Sequence, residues 1–187
     1  KSSEIKKIVN DYSDVRIGVM GSHSALEVMD GAKDENFETT VFCQKGREGP
    51  YQRFSRIADE IVVLDKFKDM ASAKNQKMLR DTNTIVVPHR SLTVYLGYKT
   101  IEDSFKVPIF GNRKLFQAEE RTAKKGQYYL LEKARIKYPK LFKDPKRINK
   151  PSIVKVQEKK RPLERAFFTV SSYKAVSYTH LTLPTTR

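Results

Sequence analysis

The chain has 187 residues, of which 37 are lysine or arginine and 22 are aspartate or glutamate, for a formal net charge of +15. Its 39% hydrophobic and 32% charged residues are typical of a soluble globular protein and exclude a disordered chain, and no apolar run approaches the ~20 residues of a bilayer-spanning helix. The single cysteine, Cys43, excludes an internal disulfide, and the first residues lack the apolar core of a signal peptide, so a cytoplasmic protein is expected.

The first half of the chain alternates helical patterns with short apolar runs. Ile5, Ile8 and Val9 have helical spacing and predict an amphipathic helix over residues 1–12. Residues 26–33 and 70–80 are the next helical segments. Runs of strand length cover residues 15–20, 39–42, 61–64, 84–87 and 107–110. This alternation predicts an α/β fold with a Rossmann-like parallel sheet that helices cover on both faces.

The pattern changes after Gly111. Residues 116–137 are rich in helix formers, and residues 138–151 carry three prolines and read as a loop. Residues 152–156 and 165–171 are strand-like and predict an antiparallel hairpin, which would open a second, incomplete domain. The end of the chain contains V-S-Y-T-H-L, which resembles a translated sequencing adapter, so residues 173–187 are predicted to be a non-native tail.

The candidate site begins where the first predicted strand ends. The segment G-S-H-S-A places Ser22, His23 and Ser24 between this strand and a helix. Ligands of open parallel sheets bind at the carboxyl ends of the strands, where helix amino termini also favour anions. The segment P-H-R-S, which contains His89 and Ser91, follows the fourth strand in the same way. The sequence therefore predicts one pocket, shaped for a sugar phosphate, that receives histidine and serine side chains from two strand ends.

Each of these positions also has a structural interpretation, which the sequence leaves open. His23 is either a ligand contact or a turn histidine that caps a helix, and His89 is either a second polar contact or a hydrogen-bonded structural histidine. The K-G-R segment ending at Arg47 is a phosphate-binding turn or an ordinary basic loop. The G-N-R segment ending at Arg113 is a turn at the domain junction. The few histidines and Cys43 lack the spacing of metal ligands.

Four segments in order carry a resemblance to a known family. They are G-S-H-S-A-L followed by G-A-K, K-G-R-E-G-P-Y-Q-R-F, I-V-V-P-H-R-S and V-P-I-F-G-N-R-K. Together they resemble the archaeal formate-dependent ligases of purine biosynthesis, which belong to the ATP-grasp superfamily, over residues 5–172. The resemblance implies an enzyme that joins formate to 5-aminoimidazole-4-carboxamide ribonucleotide with ATP and Mg²⁺.

The same resemblance implies a domain organisation and roles for single residues. Residues 1–113 match the pre-ATP-grasp domain, and residues 114–172 match the beginning of an ATP-grasp domain. His23 and Ser91 match family residues that contact the ribonucleotide, and Lys155 matches a lysine associated with the ATP phosphates, for which a point charge is suited. The acidic Mg²⁺ ligands come later in the family, so this chain is expected to be an inactive amino-terminal fragment of a protein that forms homo-oligomers.

Two departures from the family pattern keep other functions open. Arg90 stands where the family has a glycine, which would allow close backbone approach to a ligand. The glycine- and arginine-rich loop over the ATP phosphates is replaced by Q-E-K-K-R-P-L-E-R, in which Lys159, Lys160 and Arg161 supply only charge. The alternative is a non-catalytic or differently specific nucleotide-binding paralogue. The interpretation of the chain as a nucleic-acid-binding module is supported by its net charge alone, since the sequence has no RNA-binding signature with interleaved aromatic residues.

Overall fold

The computed structural model describes residues 2–22, 24–119, 123–155 and 167–176. The chain divides into two compact units, residues 1–117 and 118–187. The domain boundary after residue 113 and the non-native tail from residue 173 stay predictions. Each unit is described by itself below.

The first unit is built on a parallel sheet with the strand order β3-β2-β1-β4. Its strands are β1 Arg16–Met20, β2 Glu38–Gln44, β3 Glu60–Leu64 and β4 Thr84–Val86. Gly18 lies at the centre, paired with Thr40 on one side and Val86 on the other. Parallel pairing places the carboxyl ends of all four strands at one edge of the sheet. The predicted α/β fold with a Rossmann-like sheet is confirmed.

Helices precede, connect and follow these strands along the chain. They are α1 Ser2–Asn10, α2 Ala25–Asp34, α3 Gly49–Arg53, α4 Ala73–Asp81, α5 Arg90–Leu96 and α6 Tyr98–Asp103, with 3-10 turns at Ser55–Ile57 and Phe67–Ala71. The first, second and fourth of these helices were predicted, although the fourth is preceded by a 3-10 turn over part of the predicted range. Within the described ranges, no helix has both the length and the apolar character needed to cross a membrane.

Apolar side chains form a buried cluster on each face of the sheet. Neighbouring strand residues point to opposite faces, so Val19 and Val41 enter one cluster while Met20 and Phe42 enter the other. Burial of each large side chain of this kind contributes roughly 1.5–3 kcal/mol. Cys43 is fully buried in the cluster of Val19 and Val41, where it packs as a small apolar residue.

Arg16 links neighbouring strands at the amino edge of the sheet. Its guanidinium donates to Glu60 Oε2 at 2.7 Å and also binds the Glu38 carboxylate. Because these three residues lie on β1, β3 and β2, the two ion pairs connect three neighbouring strands. This edge is therefore occupied by charges that are paired within the protein, whereas the polar loops singled out by the sequence lie at the carboxyl edge.

Asp59, immediately before β3, accepts several hydrogen bonds from neighbouring elements. The Lys33 ammonium donates to it at 2.9 Å, and the Thr39 backbone N–H donates at 2.7 Å. Burial disfavours the charged carboxylate, but the hydrogen bonds from Lys33 and Thr39 outweigh burial and lower the pKa of Asp59 below its ordinary value of 3.8. The ionised form of Asp59 therefore contributes to the stability of the fold.

We expect Asp59→Asn to flatten the acid dependence of stability. A folded pKa below the unfolded one means that the contribution is complete above pH ~4 and is lost as the pH falls through the folded pKa. In urea titrations followed by circular dichroism, the variant should be less stable at pH 7 and decline less between pH 5 and pH 3. Asp34→Asn, at an exposed position, is the control. Parallel declines in Asp59→Asn and the unmodified protein would contradict this assignment.

The predicted strand at residues 107–110 is reduced to a single parallel bridge, between Val86 and Ile109. The Val86 N–H donates to the Pro108 carbonyl, and the Phe110 N–H donates to the Val86 carbonyl, each at 2.9 Å. Pro108 has no N–H to extend the ladder, and the Val107 carbonyl accepts from Arg113 instead. The segment still extends the sheet beyond β4.

The described residues of the second unit include a helix and a hairpin. Their bounds are α7 Gln127–Lys133, β5 Ser152–Lys155 and β6 Phe167–Val170, and a 3-10 turn covers Pro145–Arg147. A further 3-10 turn, Phe116–Glu119, spans the boundary after residue 117. The antiparallel pairing of β5 with β6 confirms the predicted hairpin. The helix predicted over residues 116–137 is shorter, because Arg135 adopts a φ of 55° and the Ile136 N–H donates to the Leu131 carbonyl at 2.9 Å, which closes the helix.

The hairpin has one covered face and one open face. Val154 and Phe168 pack against a small cluster of Ile148, Val170 and Val176, whereas Ile153 and Phe167 are each 59% exposed. Val176 belongs to the range that the sequence assigns to a non-native tail. The segment that replaces the family's glycine-rich loop, and the rest of the predicted tail, lie outside the described residues.

Candidate functional site

The loop after β1 is the first part of the candidate site, and it lies tightly against β2. The Gly21 N–H donates to the Phe42 carbonyl at 2.7 Å. A Cβ at Gly21 would lie 2.9 Å from Cys43 Cβ and 3.0 Å from the Tyr51 ring, so a larger residue would push the loop off this floor. Glycine at this position therefore fixes the path of the chain towards the predicted ligand-binding residues.

The described serines of this loop lie where the sequence places them. Ser22 and Ser24 are partly buried between β1 and α2. Ser24 is the N-cap residue of α2, and its carbonyl accepts from the Val28 N–H at 3.1 Å, but its side chain does not make the capping hydrogen bond. His23 lies outside the described residues, so its role stays a prediction.

His89 joins the loop after β4 to the end of β1. Its Nε2 lies 2.8 Å from the Met20 carbonyl oxygen, and its Nδ1 accepts from the Ser91 N–H at 3.2 Å. A carbonyl oxygen only accepts and a backbone N–H only donates, so both bonds require a neutral imidazole with its proton on Nε2. Of the two interpretations left open for His89, the geometry supports the structural one, in which it caps α5 and ties two strand ends together.

Ser91 is held at this same edge of the sheet. It is the second residue of α5 and is 8% exposed, while Arg90 before it is exposed. The bond from His89 to Met20 brings the Ser91 loop next to the loop that contains Ser22 and Ser24. The described serines predicted for the site therefore share one edge, as strand ends of neighbouring parallel strands must.

The K-G-R turn after β2 differs from a phosphate-binding backbone turn. Gly46 has a φ of 85°, which favours glycine. The Lys45 N–H donates to the Leu64 carbonyl at 2.7 Å, and the Arg47 N–H donates to the Gln44 carbonyl at 2.9 Å. Because these two amides are already bound, the turn offers a ligand chiefly the exposed side chains of Lys45 and Arg47.

The Tyr51 hydroxyl and the Cys43 thiol, beneath these loops, have raised pKa values and are held in their neutral forms. Burial raises the pKa of Tyr51 to about 12, with Cys43 adding to the shift and Arg47 opposing it. Burial, followed by the charge of Glu48, raises the pKa of the Cys43 thiol. A buried thiol with a raised pKa is a poor nucleophile, so Cys43 acts as packing. One Glu48 carboxylate oxygen is buried without a hydrogen-bond partner among the described residues.

The side chain of Arg113 makes hydrogen bonds to the part of the chain that follows β4. Its guanidinium donates to the carbonyls of Phe105 at 2.6 Å, Val107 at 2.8 Å and Ile101 at 3.1 Å. Burial lowers the pKa of this arginine. The structural role expected for the G-N-R turn therefore falls to the guanidinium, which binds the end of α6 to the segment that follows it.

Lys155, the residue predicted to bind ATP phosphates, belongs to the second unit. It is the last residue of β5, and its backbone pairs with Phe167 of β6. Its side chain lies outside the described atoms. In the described ranges no group of three or more histidine, cysteine, aspartate or glutamate side chains is arranged to hold a metal ion.

Sequence reasoning missed the aromatic side chains around these loops. Tyr51 supports Gly21, and Tyr95 of α5 stacks on Phe67 with ring centroids 4.6 Å apart. Neither α3 nor α5 was predicted, so nothing connected these rings to the strand ends. The available signal was the spacing of Ser91 and Tyr95, which places them on one face if the segment is helical.

Comparison with known proteins extends these findings. Residues 17–142 match the family described as a protein of unknown function, DUF1246. Proteins named 5-formaminoimidazole-4-carboxamide-1-(beta)-D-ribofuranosyl 5'-monophosphate synthetase are similar: 41% identity over 157 residues in Methanobrevibacter smithii and 44% over 155 residues in Methanothermobacter thermautotrophicus. These matches cover 83% and 81% of this chain but 42% of each relative, so the chain spans less than half of their length.

A solved structure is also similar to this chain. It is the crystal structure of an IMP biosynthesis protein, PurP, from Thermococcus kodakaraensis, with 25% identity and a TM-score of 0.56. The match covers 82% of this chain and 48% of that one. Here too the chain corresponds to about half of the protein that it resembles.

Proposed function

The chain belongs to the DUF1246 family, and on this premise we propose that it is the amino-terminal part of an ATP-dependent ligase that formylates 5-aminoimidazole-4-carboxamide ribonucleotide in purine biosynthesis. The names of the relatives support this reaction, since they describe a synthetase whose product is a formamino-imidazole ribofuranosyl 5'-monophosphate. In this reaction the amine nitrogen of the ribonucleotide would form a bond to the carbon of formate as one formate C–O bond breaks. The oxygen would leave on the phosphate that ATP gives up as it becomes ADP, and the amine would lose a proton.

The observation that carries the proposal is the junction of two loops at the carboxyl edge. His89 holds the loop of Ser91 against the end of β1, from which Ser22 and Ser24 follow. Hydroxyl groups suit the ribose, carboxamide and phosphate of a ribonucleotide, because they both donate and accept hydrogen bonds. We propose that His23 and Ser91 contact the ribonucleotide directly and that Ser22 and Ser24 support them.

ATP, Mg²⁺ and formate are proposed for the whole protein. The described residues do not form a carboxylate group suited to Mg²⁺, so we assign no step through the metal to this chain. Lys155, at the end of β5, is proposed to contact ATP phosphates through its ammonium group. The role proposed for the first unit is to bind and orient the amine-bearing acceptor.

Calorimetric titration of the ribonucleotide into this chain tests the proposal. We expect saturable binding that His23→Ala and Ser91→Ala each weaken about 10-fold, the effect of losing roughly one hydrogen bond to a buried polar group. Ser104→Ala is the matched control, because this exposed serine caps the end of α6 and bonds to the Thr100 carbonyl. It should bind like the unmodified protein.

Two outcomes would contradict the proposal in different ways. Absence of binding to the unmodified chain would remove the acceptor site, and equal affinity in Ser91→Ala and Ser104→Ala would remove the assignment of Ser91. Tighter binding of another nucleotide would favour the differently specific paralogue. The observation for that second candidate is Arg90, an exposed cation directly before Ser91 where the family has glycine.

A further inference from the structure

Three side chains from segments that follow three strands of the sheet form one stack. The Arg47 guanidinium lies over the Phe67 ring, with its carbon 5.6 Å from the ring centroid. The Tyr95 ring packs against the same phenylalanine at 4.6 Å with an interplanar angle of 37°. Arg47 follows β2, Phe67 follows β3 and Tyr95 lies on α5, so the stack passes from one of these segments to the next.

The stack presents the positively charged Arg47 guanidinium to solvent. Phe67 is 1% exposed and belongs to the core, so its ring is fixed, whereas Arg47 is exposed. Attraction between a guanidinium and an aromatic face restrains the arginine without using its N–H donors. In the described part of the chain, no carboxylate forms an ion pair with Arg47. Its donors therefore remain available to a ligand.

Both ends of the stack lie next to the candidate site. Tyr95 is one helical turn after Ser91 and shares its face of α5. Arg47 precedes α3, which carries Tyr51, and the Tyr51 ring is the floor beneath Gly21. The guanidinium is therefore a neighbour of the loops that carry the predicted ribonucleotide ligands.

We propose that Arg47 binds the phosphate monoester of the ribonucleotide and that Phe67 and Tyr95 form the platform that orients its guanidinium. This inference rests on the proposed function. A planar guanidinium offers two parallel N–H donors that match two phosphate oxygens, and the relatives are named for a 5'-monophosphate product. The backbone amides of Lys45 and Arg47 are bound within the protein, and of the two exposed cations in this turn Arg47 is the one that the Phe67 ring restrains.

The test compares the ribonucleotide with its nucleoside, which lacks only the phosphate. By calorimetry on the full chain, Arg47→Ala should weaken ribonucleotide binding about 10- to 100-fold, as expected for lost hydrogen bonds to a charged group, and leave nucleoside binding unchanged. Arg47→Lys should recover only part of the affinity. Arg53→Ala is the matched control, since Arg53 is an exposed arginine at the end of α3.

A second variant examines the platform separately from the charge. Phe67→Leu keeps an apolar side chain in the core but removes the ring, so it should weaken binding of the ribonucleotide more than that of the nucleoside. Thermal unfolding shows whether this variant is folded, and Tyr95→Leu, at a 38% exposed position, is the substitute if it is not. Equal losses for both ligands would show that the rings do not act through the phosphate.

The outcomes separate this inference from the proposed function. If the unmodified chain binds the ribonucleotide and Arg47→Ala binds it equally well, the phosphate assignment is overturned while the acceptor site stands. If the unmodified chain binds neither ligand, the proposed function fails, and titration with inorganic phosphate then decides the subsite. Phosphate binding that is lost in Arg47→Ala but kept in Arg53→Ala supports it, and identical behaviour of both variants overturns it.

Discussion

Replacing Gly18 with alanine is expected to lower the free energy of unfolding by about 3 kcal/mol, the upper range for overpacking a core. Gly18 is the middle residue of β1, between β2 and β4. An added Cβ would lie 2.5 Å from Thr84 Cγ2, which is closer than real contacts allow. Thr84 is fully buried and its hydroxyl bonds that of Thr82 at 2.8 Å, so it cannot rotate away without losing this bond.

Two further variants make this expectation specific. Thr84→Ser removes the methyl group that clashes and keeps the hydroxyl, so it should restore part of the stability in the Gly18→Ala background. Gly31→Ala, within α2 and with no atom near the added Cβ, should instead raise stability by up to about 1 kcal/mol through helix propensity. Urea unfolding measures all of these proteins. Alanine tolerated equally at positions 18 and 31 would contradict the packing described here.

Replacing Arg113 with alanine is expected to cost about 3 kcal/mol of unfolding free energy, because a charged donor leaves three backbone carbonyls at once. These carbonyls belong to Ile101, Phe105 and Val107, each of which is at most 1% exposed. Water would reach only some of them after the substitution. The loss should therefore exceed the effect of removing an exposed cation.

The matched measurements use guanidinium chloride unfolding of three variants. Arg113→Lys retains the charge but offers a single nitrogen, so it should recover only part of the stability. Lys114→Ala removes the neighbouring exposed cation and should change stability by less than about 0.5 kcal/mol. Similar midpoints for Arg113→Ala and Lys114→Ala would show that the carbonyl contacts do not stabilise the unit.

The strands could be predicted because each is a short apolar run with a clear stop, but α5 could not. Its sequence R-S-L-T-V-Y-L contains the β-branched residues Thr93 and Val94, which favour strands. The helix forms because Leu92 and Leu96 pack into the core, His89 caps its start, and Gly97 with a φ of 77° ends it. Packing and an unusual histidine cap outweigh local preference here.

For the candidate site, the sequence predicted positions but not contacts. Serines that follow apolar runs indicate strand ends, and the parallel sheet brings those ends to one edge. Arg47, Phe67 and Tyr95 follow three different strands, so their contact depends on how the whole sheet is assembled. No local sequence pattern indicates which of these segments will meet. The choice between ligand contact and structural bond for His89 likewise needed the position of the Met20 carbonyl.

The bond between His89 and Met20 joins positions that are 69 residues apart. The recognition surface that we propose consequently cannot exist in either segment alone, and it assembles only once β4 has closed against β1. Ligand affinity then scales with the fraction of molecules in which this closure is complete. Substitutions at Gly18 or Thr84 that hold β1 and β4 apart would therefore weaken ligand binding, although neither residue contacts the proposed ligand.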